Sequence, residues 1–309
     1  MAQFFPSVTA DSLKNKVIVI TGGANGIGAS LVEYCCHHGA YVCFGDKAVS
    51  AGVQLAERLC ASSASSSRPQ AIFYETDVIE YKSILNLFDA ALDTYGHIDH
   101  AVAGAGVMEI GNWFDPGLTL EDVREPATTK VLDVNLGGCL SVARIASVYL
   151  RQNRPMDADR SITLISSVAG FKESPGLFVY QASKHGVLGL MRALRLYLSR
   201  SPHLLRINAV CPWMTTTGMV QGIEEAWRNA ELPVNSPMEV AIVTAGLLVS
   251  QQLNGKSMFV EGGRAWEIEA NIDRLEPQWL GEEPSRSLAK GQAVLADGSD
   301  WTKSGRNAR

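Results

Sequence analysis

The stretch Lys16-Val-Ile-Val-Ile-Thr-Gly-Gly-Ala-Asn-Gly-Ile-Gly28 decides how this 309-residue chain folds. Val17 to Ile20 are apolar and β-branched, the pattern of a strand covered on both faces. The run passes straight into glycines and then into a helical pattern that reaches about His38. A strand, a glycine-rich turn and a helix in that order form an arrangement suited to phosphate. Gly22, Gly26 and Gly28 permit a tight turn and close backbone approach, with Asn25 and Ile27 between them, and the helix N-terminus faces the anion. The spacing is G-x-x-x-G-x-G rather than G-x-G-x-x-G, and a glycine cluster by itself also suits an ordinary loop.

Working outward, a second strand from Ala40 to Phe44 ends at Gly45-Asp46. Asp46 lies 18 residues beyond Gly28, where an acidic side chain accepts hydrogen bonds from an adenosine ribose. A carboxylate there also repels a 2′-phosphate, so the expected cofactor is NAD rather than NADP, with Lys47 discordant. A helix cap for the segment starting near Val49 is a compatible second role for Asp46. Strand three, Ala71 to Thr76, delivers Asp77 and Val78 to the position of an adenine ring. Strand four, Ile98 to Ala103, opens into Gly104-Ala105-Gly106. Residues 121–150 read as one long helix or two joined ones, with Asn135 and Gly137-Gly138 at a break, since interior glycines cost about 1 kcal/mol each. Strand five, Ser161 to Ile165, ends at Ser166-Ser167, and the next helix runs to about Arg200. Strand six, Leu204 to Val210, is followed by Cys-Pro-Trp-Met-Thr-Thr-Thr217. A helix over 237–251 and a strand over 257–260 complete the pattern.

This alternation requires an α/β fold with a doubly wound parallel sheet covered on both faces. One domain is expected over residues 1–267. Residues 61–69 read as an exposed loop, residues 268–309 as an extension, and its last stretch, 289–309, as disordered.

Composition removes several classes. A net charge of −5 argues against a nucleic-acid partner. No apolar run approaches the roughly 20 residues that span a bilayer, and Met1 to Pro6 lack signal-peptide features. A cytoplasmic protein with no membrane partner is the expectation. The six cysteines form no C-x-x-C pair and read mainly as buried thiols. His37-His38 sits at a helix end, where it meets the dipole rather than a metal.

Tyr180 and Lys184 stand at i and i+4, one turn apart on one helix face. An ammonium so placed stabilises a phenolate, which equips the tyrosine for proton exchange with an alcohol or carbonyl oxygen. Alone this pair is weak. Its weight comes from convergence, because the glycine turn, Asp46, Asp77, Gly104–Gly106, Ser167 and Pro212–Thr217 all follow strand ends, where open α/β sheets bind ligands.

On Thr21-Gly-x-x-x-Gly-Ile-Gly28, Asp77, Asn135, Ser167 and Tyr180-x-x-x-Lys184, the chain resembles the short-chain dehydrogenase/reductase family over about residues 14 to 263. The resemblance implies a seven-stranded Rossmann-type domain and a nicotinamide cofactor. It also implies a catalytic tetrad of Asn135, Ser167, Tyr180 and Lys184, Ser167 standing thirteen residues before the tyrosine. Thr215 and Thr217 match positions that hold the carboxamide in relatives, and Pro212 precedes them. The family's Asn-Ala-Gly is Gly104-Ala105-Gly106 here, which implies a weakened contact supporting the cofactor site. Its Pro-Gly is Pro212-Trp213, which implies a reshaped pocket. The tail resembles the ends of dehydrogenases from fungal secondary metabolism.

The expected activity is interconversion of a secondary alcohol and a ketone with NAD, on a bulky apolar small molecule such as a terpenoid, steroid-like compound or polyketide. Trp213, Met214, Met219, Trp227, Trp266 and Trp279 offer the apolar surface, though core packing explains each equally well. An NADPH-dependent ketoreductase and a non-catalytic NAD-binding sensor or scaffold are the alternatives. Relatives often pair through the helices corresponding to residues 121–150 and 180–200, so the resemblance implies a homodimer or homotetramer.

Overall fold

The computed structural model describes residues 3–9, 11–61, 68–198, 204–220, 222 and 224–296. The chain divides into two compact units, Ala2–Glu267 and a smaller one of Ile268–Arg309 with Met1. The strands of the larger unit, in chain order, are β1 (Gln3–Phe4), β2 (Val17–Thr21), β3 (Tyr41–Asp46), β4 (Ala71–Glu75), β5 (His100–Ala103), β6 (Ser161–Ile165), β7 (Arg206–Pro212), β8 (Ser257–Glu261) and β9 (Arg264–Glu267). They form one sheet in the order β1-β9-β8-β7-β6-β5-β2-β3-β4. Seven neighbours, β2 to β8, run parallel, and β9 and β1 add an antiparallel edge.

The parallel strands are buried because helices cover both faces. One layer packs the helices Tyr81–Tyr95, Lys130–Tyr149 and Phe178–Leu198 around Phe88, Ile145 and Leu188. The other packs Gly26–His37, Val49–Ala61 and Pro237–Val249 around Leu31, Phe44 and Leu248. The last of these helices starts at a capping box, Ser236 and Glu239 exchanging bonds, with Pro237 in its first turn. The chain leaves β2 toward β3 and later returns to the other flank of β2 as β5, with Thr21 level with both Gly45 and Ala103. That reversal opens a crevice beyond the strand ends.

Several elements differ from their sequence reading. Gly262 and Gly263, at φ +53° and +71°, make the two-residue turn that pairs β9 with β8, a strand the sequence reading stopped short of. Residues 125–129 are not helical, and the long helix starts at Lys130. At 20 residues with mean hydropathy 1.4 it is long and apolar enough to cross a bilayer, contrary to the sequence expectation. Half of it is buried in the protein, so core packing accounts for its apolar character. In the smaller unit, Glu269–Leu280 and Glu282–Ala296 are helices, the first containing Pro277 and ending at Gly281. Residues 289–296, read from sequence as disordered, are therefore helical, whereas 297–309 lie outside the described residues, as do 62–67 of the expected loop.

No disulfide joins the six cysteines, and burial pushes the Cys43 and Cys139 thiols up to about 12. The His38 ring stands 2.8 Å from the Tyr34 carbonyl at a helix end. No cluster of metal-ligating side chains occurs among the described residues.

The opposite rim of the sheet is held by buried ions. Asp99 pairs with Arg154 at 2.6 Å and His97 at 3.3 Å and accepts the Val17 N–H. Burial pushes its carboxyl up, but these partners prevail and hold it at about 2. Arg206 forks onto Asp159 and donates to the Leu247, Leu248 and Leu253 carbonyls. Beside them, full burial pulls the His100 imidazole down to about 4, with Nδ1 2.8 Å from Ser161 Oγ.

His100 is therefore neutral in the fold and protonates only in the unfolded chain between about pH 6.5 and 4. Stability is unaffected above that window and falls as pH drops through it, by about 3 kcal/mol in all. Urea unfolding at stepped pH should show this loss, and His100→Leu should flatten it.

Candidate active site

The crevice beyond β2 and β5 widens into a cavity of about 950 Å³, within the size range of small-molecule sites. Every residue assigned to the cofactor from sequence lines it: Gly22, Asn25, Gly26, Ile27, Gly28, Asp46, Asp77, Val78, Gly104, Ala105, Gly106, Tyr180, Lys184, Pro212, Thr215 and Thr217. Ser167 lines it as well, but Asn135 lies behind the wall.

The glycine turn is shaped by contact. Gly22 has φ +72°, and a Cβ on it would sit 2.6 Å from the Ala105 Cα. A Cβ on Gly28 would sit 1.9 Å from the Gly22 carbonyl oxygen. These glycines let two backbones meet and leave a shallow cradle at the start of helix Gly26–His37, which suits the pyrophosphate of a dinucleotide. Gly22 and Gly23 donate to the Gly45 carbonyl at 2.8 and 3.1 Å. Asp46 braces the turn from β3, its two oxygens accepting the Ala24 and Ala48 N–H groups at 3.0 Å each. A carboxylate has about four acceptor sites, so Asp46 keeps capacity for ribose hydroxyls.

Lys47 lines the cavity beside Asp46, with its charge paired. Its ammonium lies 2.6 Å from Asp77 Oδ2. That hydrogen bond holds the Asp77 carboxyl below its ordinary range, against the opposing effect of burial.

At the other end, Gly104 donates its N–H to the Thr21 carbonyl at 3.1 Å, and a Cβ there would come within 2.8 Å of that oxygen. The backbone contact survives, and a side chain at this position would press on the Thr21 carbonyl. Asn135 sits in a π-helical turn, Asp133–Gly138, inside the long helix. Such i→i+5 turns are rare and occur mostly as single bulges. Its amide donates to the Val107 carbonyl (2.9 Å) and Ser183 Oγ (3.1 Å), and its Oδ1 accepts the Val107 N–H (2.8 Å). Ser183 in turn donates to the Tyr180 carbonyl at 2.6 Å. Only one acceptor site on Asn135 remains.

The two serines after β6 separate by their bonds. Ser166 donates to the Lys184 carbonyl at 3.0 Å. Ser167 instead accepts the Ala169 N–H at 3.2 Å, which leaves its own proton available. The Lys184 ammonium donates to the Ile165 carbonyl at 3.0 Å and stands 5.6 Å from the centre of the Tyr180 ring.

Beyond Tyr180 the wall turns apolar, with Met108, Leu177, Trp213, Met214, Met219 and Trp227 facing the cavity. The Trp213 ring packs edge-on against Trp227 (5.5 Å) and tilted against Phe259 (5.8 Å). Trp266 stacks behind Phe259 and is absent from the lining, and Trp279 belongs to the smaller unit. Two supporting residues escaped the sequence reading. Asn235, fully buried, holds Val260 and Gly263 while residues 215 and 235 form a β-bridge. Glu109 accepts two N–H groups at the start of the helix that carries Tyr180. Neither belongs to a local motif that could have marked it.

This arrangement joins a dinucleotide cradle to a Tyr-Lys pair in one cavity. Residues 16–228 match the family model described as short chain dehydrogenase. The chain belongs to that family, whose members are oxidoreductases that bind a nicotinamide cofactor. Among its relatives, the short-chain dehydrogenase/reductase ascJ of Acremonium egyptiacum is 32% identical, over 84% of this chain and 83% of that one. The (-)-trans-carveol dehydrogenase of Rhodococcus erythropolis is 31% identical, over 76% of this chain and 85% of that one. The same fold occurs in the crystal structure of a 3-ketoacyl-(acyl-carrier-protein) reductase from Brucella melitensis complexed with NADH. It has a TM-score of 0.69 and 21% identity, and the match covers 81% of this chain and 98% of that one.

A Cβ at Gly22 would strain a left-handed residue and push the β5 loop away. Gly22→Ala should weaken NADH binding about tenfold or more and lower the melting temperature, as isothermal titration and thermal unfolding would show.

Proposed function

We propose that this enzyme interconverts a secondary alcohol and a ketone on a bulky apolar substrate, using NAD. The observation that carries the proposal is a single cavity with Tyr180, Ser167 and Lys184 between a dinucleotide cradle and an apolar wall.

The bound nicotinamide supplies the hydride chemistry. Tyr180 takes the hydroxyl proton during oxidation and returns it during reduction. Lys184 places its positive charge near the Tyr180 ring, and its two remaining N–H donors are available to the nicotinamide ribose. Ser167 donates to the substrate oxygen through its uncommitted proton. Asn135, its amide largely committed to Val107 and Ser183, keeps the wall and the Tyr180 turn in place, with one acceptor site left for a relaying water. Thr215 and Thr217 hold the carboxamide side.

Asp46 supports NAD over NADP, because its carboxylate occupies the ribose end while Lys47 is paired with Asp77. The apolar wall supports a terpenoid, steroid-like or polyketide substrate, since a sugar site would need more polar groups to fix orientation. The named activity of the Rhodococcus relative lies in the same chemical range. Exposed Leu140 and Val148 on one helix and Leu196 and Tyr197 on another support a homodimer or homotetramer. A cytoplasmic protein engaged in secondary metabolism, with residues 268–309 as an extension of the catalytic domain, completes the proposal.

Two measurements test it. Tyr180→Phe should cut oxidation of a panel of cyclic secondary alcohols by on the order of 10²- to 10⁴-fold while NADH affinity stays within about twofold. Near-normal turnover in that variant would remove Tyr180 from the mechanism. Fluorescence titration should give NADH a dissociation constant at least about tenfold lower than NADPH, a gap of about 1.4 kcal/mol. The reverse order would favour an NADPH-dependent ketoreductase.

A further inference from the structure

The helix Phe178–Leu198 begins only two residues before Tyr180, so the tyrosine stands in the first turn, where backbone N–H groups have no partner within the helix. A helix normally meets this need with a polar residue just ahead of it. Here the preceding residues are Pro175, Gly176 and Leu177, none with a polar side chain. The acceptor comes instead from the loop after β5. Glu109 Oε1 accepts the Val179 N–H at 3.2 Å, and Oε2 accepts the Tyr180 N–H at 2.6 Å. A carboxylate at this end is also favoured by the helix dipole.

This cap joins two walls of the cavity. Val107 and Met108 line one side immediately before Glu109, and Pro175, Leu177 and Tyr180 line the facing side. The β5 loop is clamped at Val107 by Asn135, through both its N–H and its carbonyl. The following turn is tied to the helix by Ser174, whose N–H reaches Gln181 Oε1 at 2.8 Å. Between those clamps, Glu109 alone among the described hydrogen bonds grips the backbone of Tyr180 from the opposite wall.

We infer that Glu109 is a positioning residue for the reaction: its carboxylate sets the backbone of Tyr180, and so the phenol, against the substrate loop after β5. The inference rests on the reading of Tyr180 as the acid/base. Glu109 does not line the cavity and takes no proton in this account. Its effect passes through two amides to a side chain that must meet the substrate oxygen within hydrogen-bond reach. Glutamine retains one acceptor oxygen and aspartate retains the charge on a shorter stem, so the three substitutions grade the loss.

The experiment uses the full chain as Glu109→Ala, Glu109→Gln and Glu109→Asp, with Ile98→Val at the opposite rim of the sheet as a destabilised control and Tyr180→Phe as reference. Hydrogen exchange should show the Val179 and Tyr180 amides exchanging roughly tenfold or more faster in Glu109→Ala, with those of β2 and β6 unchanged. With carveol and borneol as probe alcohols, kcat should fall roughly 10- to 100-fold, while NADH affinity stays within about twofold. Glu109→Gln should fall between wild type and alanine, and Ile98→Val should keep its kcat despite a lower melting temperature. Unchanged exchange at Val179 and Tyr180 overturns the inference whether or not the probe alcohols are turned over. So does a kcat loss in Glu109→Ala no greater than in Ile98→Val. If Tyr180→Phe is active, the reading of Tyr180 fails first, and the exchange result still decides whether Glu109 holds that turn.

Discussion

The site depends on how closely two backbones can approach at the reversal of the sheet. β2 and β5 leave their neighbouring positions in different directions, yet the turn at Gly22 and the loop at Ala105 remain in contact, with space for no Cβ between them. Gly104 completes the junction through its N–H on Thr21. The floor of the cavity is therefore main chain rather than side chain. That makes it thin enough for a dinucleotide to lie across and polar enough, through the amides of the first helix, to receive its phosphates. Every other group at the site is placed relative to this junction, because β3 braces it through Asp46 and β5 continues from it to Val107.

The two rims of the sheet use polar groups in opposite ways. On the far rim, Asp99 pairs with Arg154 and Asp159 with Arg206, and Arg206 also donates to nearby carbonyls, a pairing that offsets the cost of burying charge. On the cavity rim, Asn135 behind the wall is likewise committed to Val107 and Ser183, and Ser166 in the wall to the Lys184 carbonyl. The hydroxyls of Ser167 and Tyr180 face the cavity in front of them. A fixed second layer lets those groups be oriented before a substrate arrives, which reduces the entropy lost in reaching a reactive geometry.

Much of this was legible because buried parallel strands read as apolar runs and because a strand–glycine–helix sequence has few structural solutions. The seven parallel strands follow from that pattern, as does the gathering of Gly22, Asp46, Asp77 and Gly104 around one cavity. The β1 and β9 edge did not, since two or four residues are too few to establish a period, although Gly262-Gly263 marks the hairpin in hindsight. The terminal helices were hidden by Pro277 and by a shortage of apolar residues from which to read a stripe. Within the site, Glu109 and Asn235 act on partners 20 to 71 positions away, so no local spacing could announce them. Gly104 was read as a lost amide contact, and the structure shows its backbone bond to Thr21 kept, with a Cβ there coming within 2.8 Å of that carbonyl.

Trp213 is the departure with the largest consequence for the substrate. An indole in place of a hydrogen could have filled the cavity, but the ring leans on Phe259 and Trp227, and Trp266 with Arg264 over it supports Phe259 from behind. Aromatic side chains lose little freedom when packed and contribute large apolar areas. Trp213 thus forms a rigid wall, 38% exposed, rather than a plug. Opposite the cofactor cradle, an apolar molecule gains by covering that wall, while any oxygen it carries finds hydrogen-bond partners mainly at Tyr180 and Ser167. The contrast between the two surfaces is then itself an orienting force: in the proposed reaction it directs the carbinol end of the substrate toward the phenol, without requiring a polar contact along the hydrocarbon skeleton.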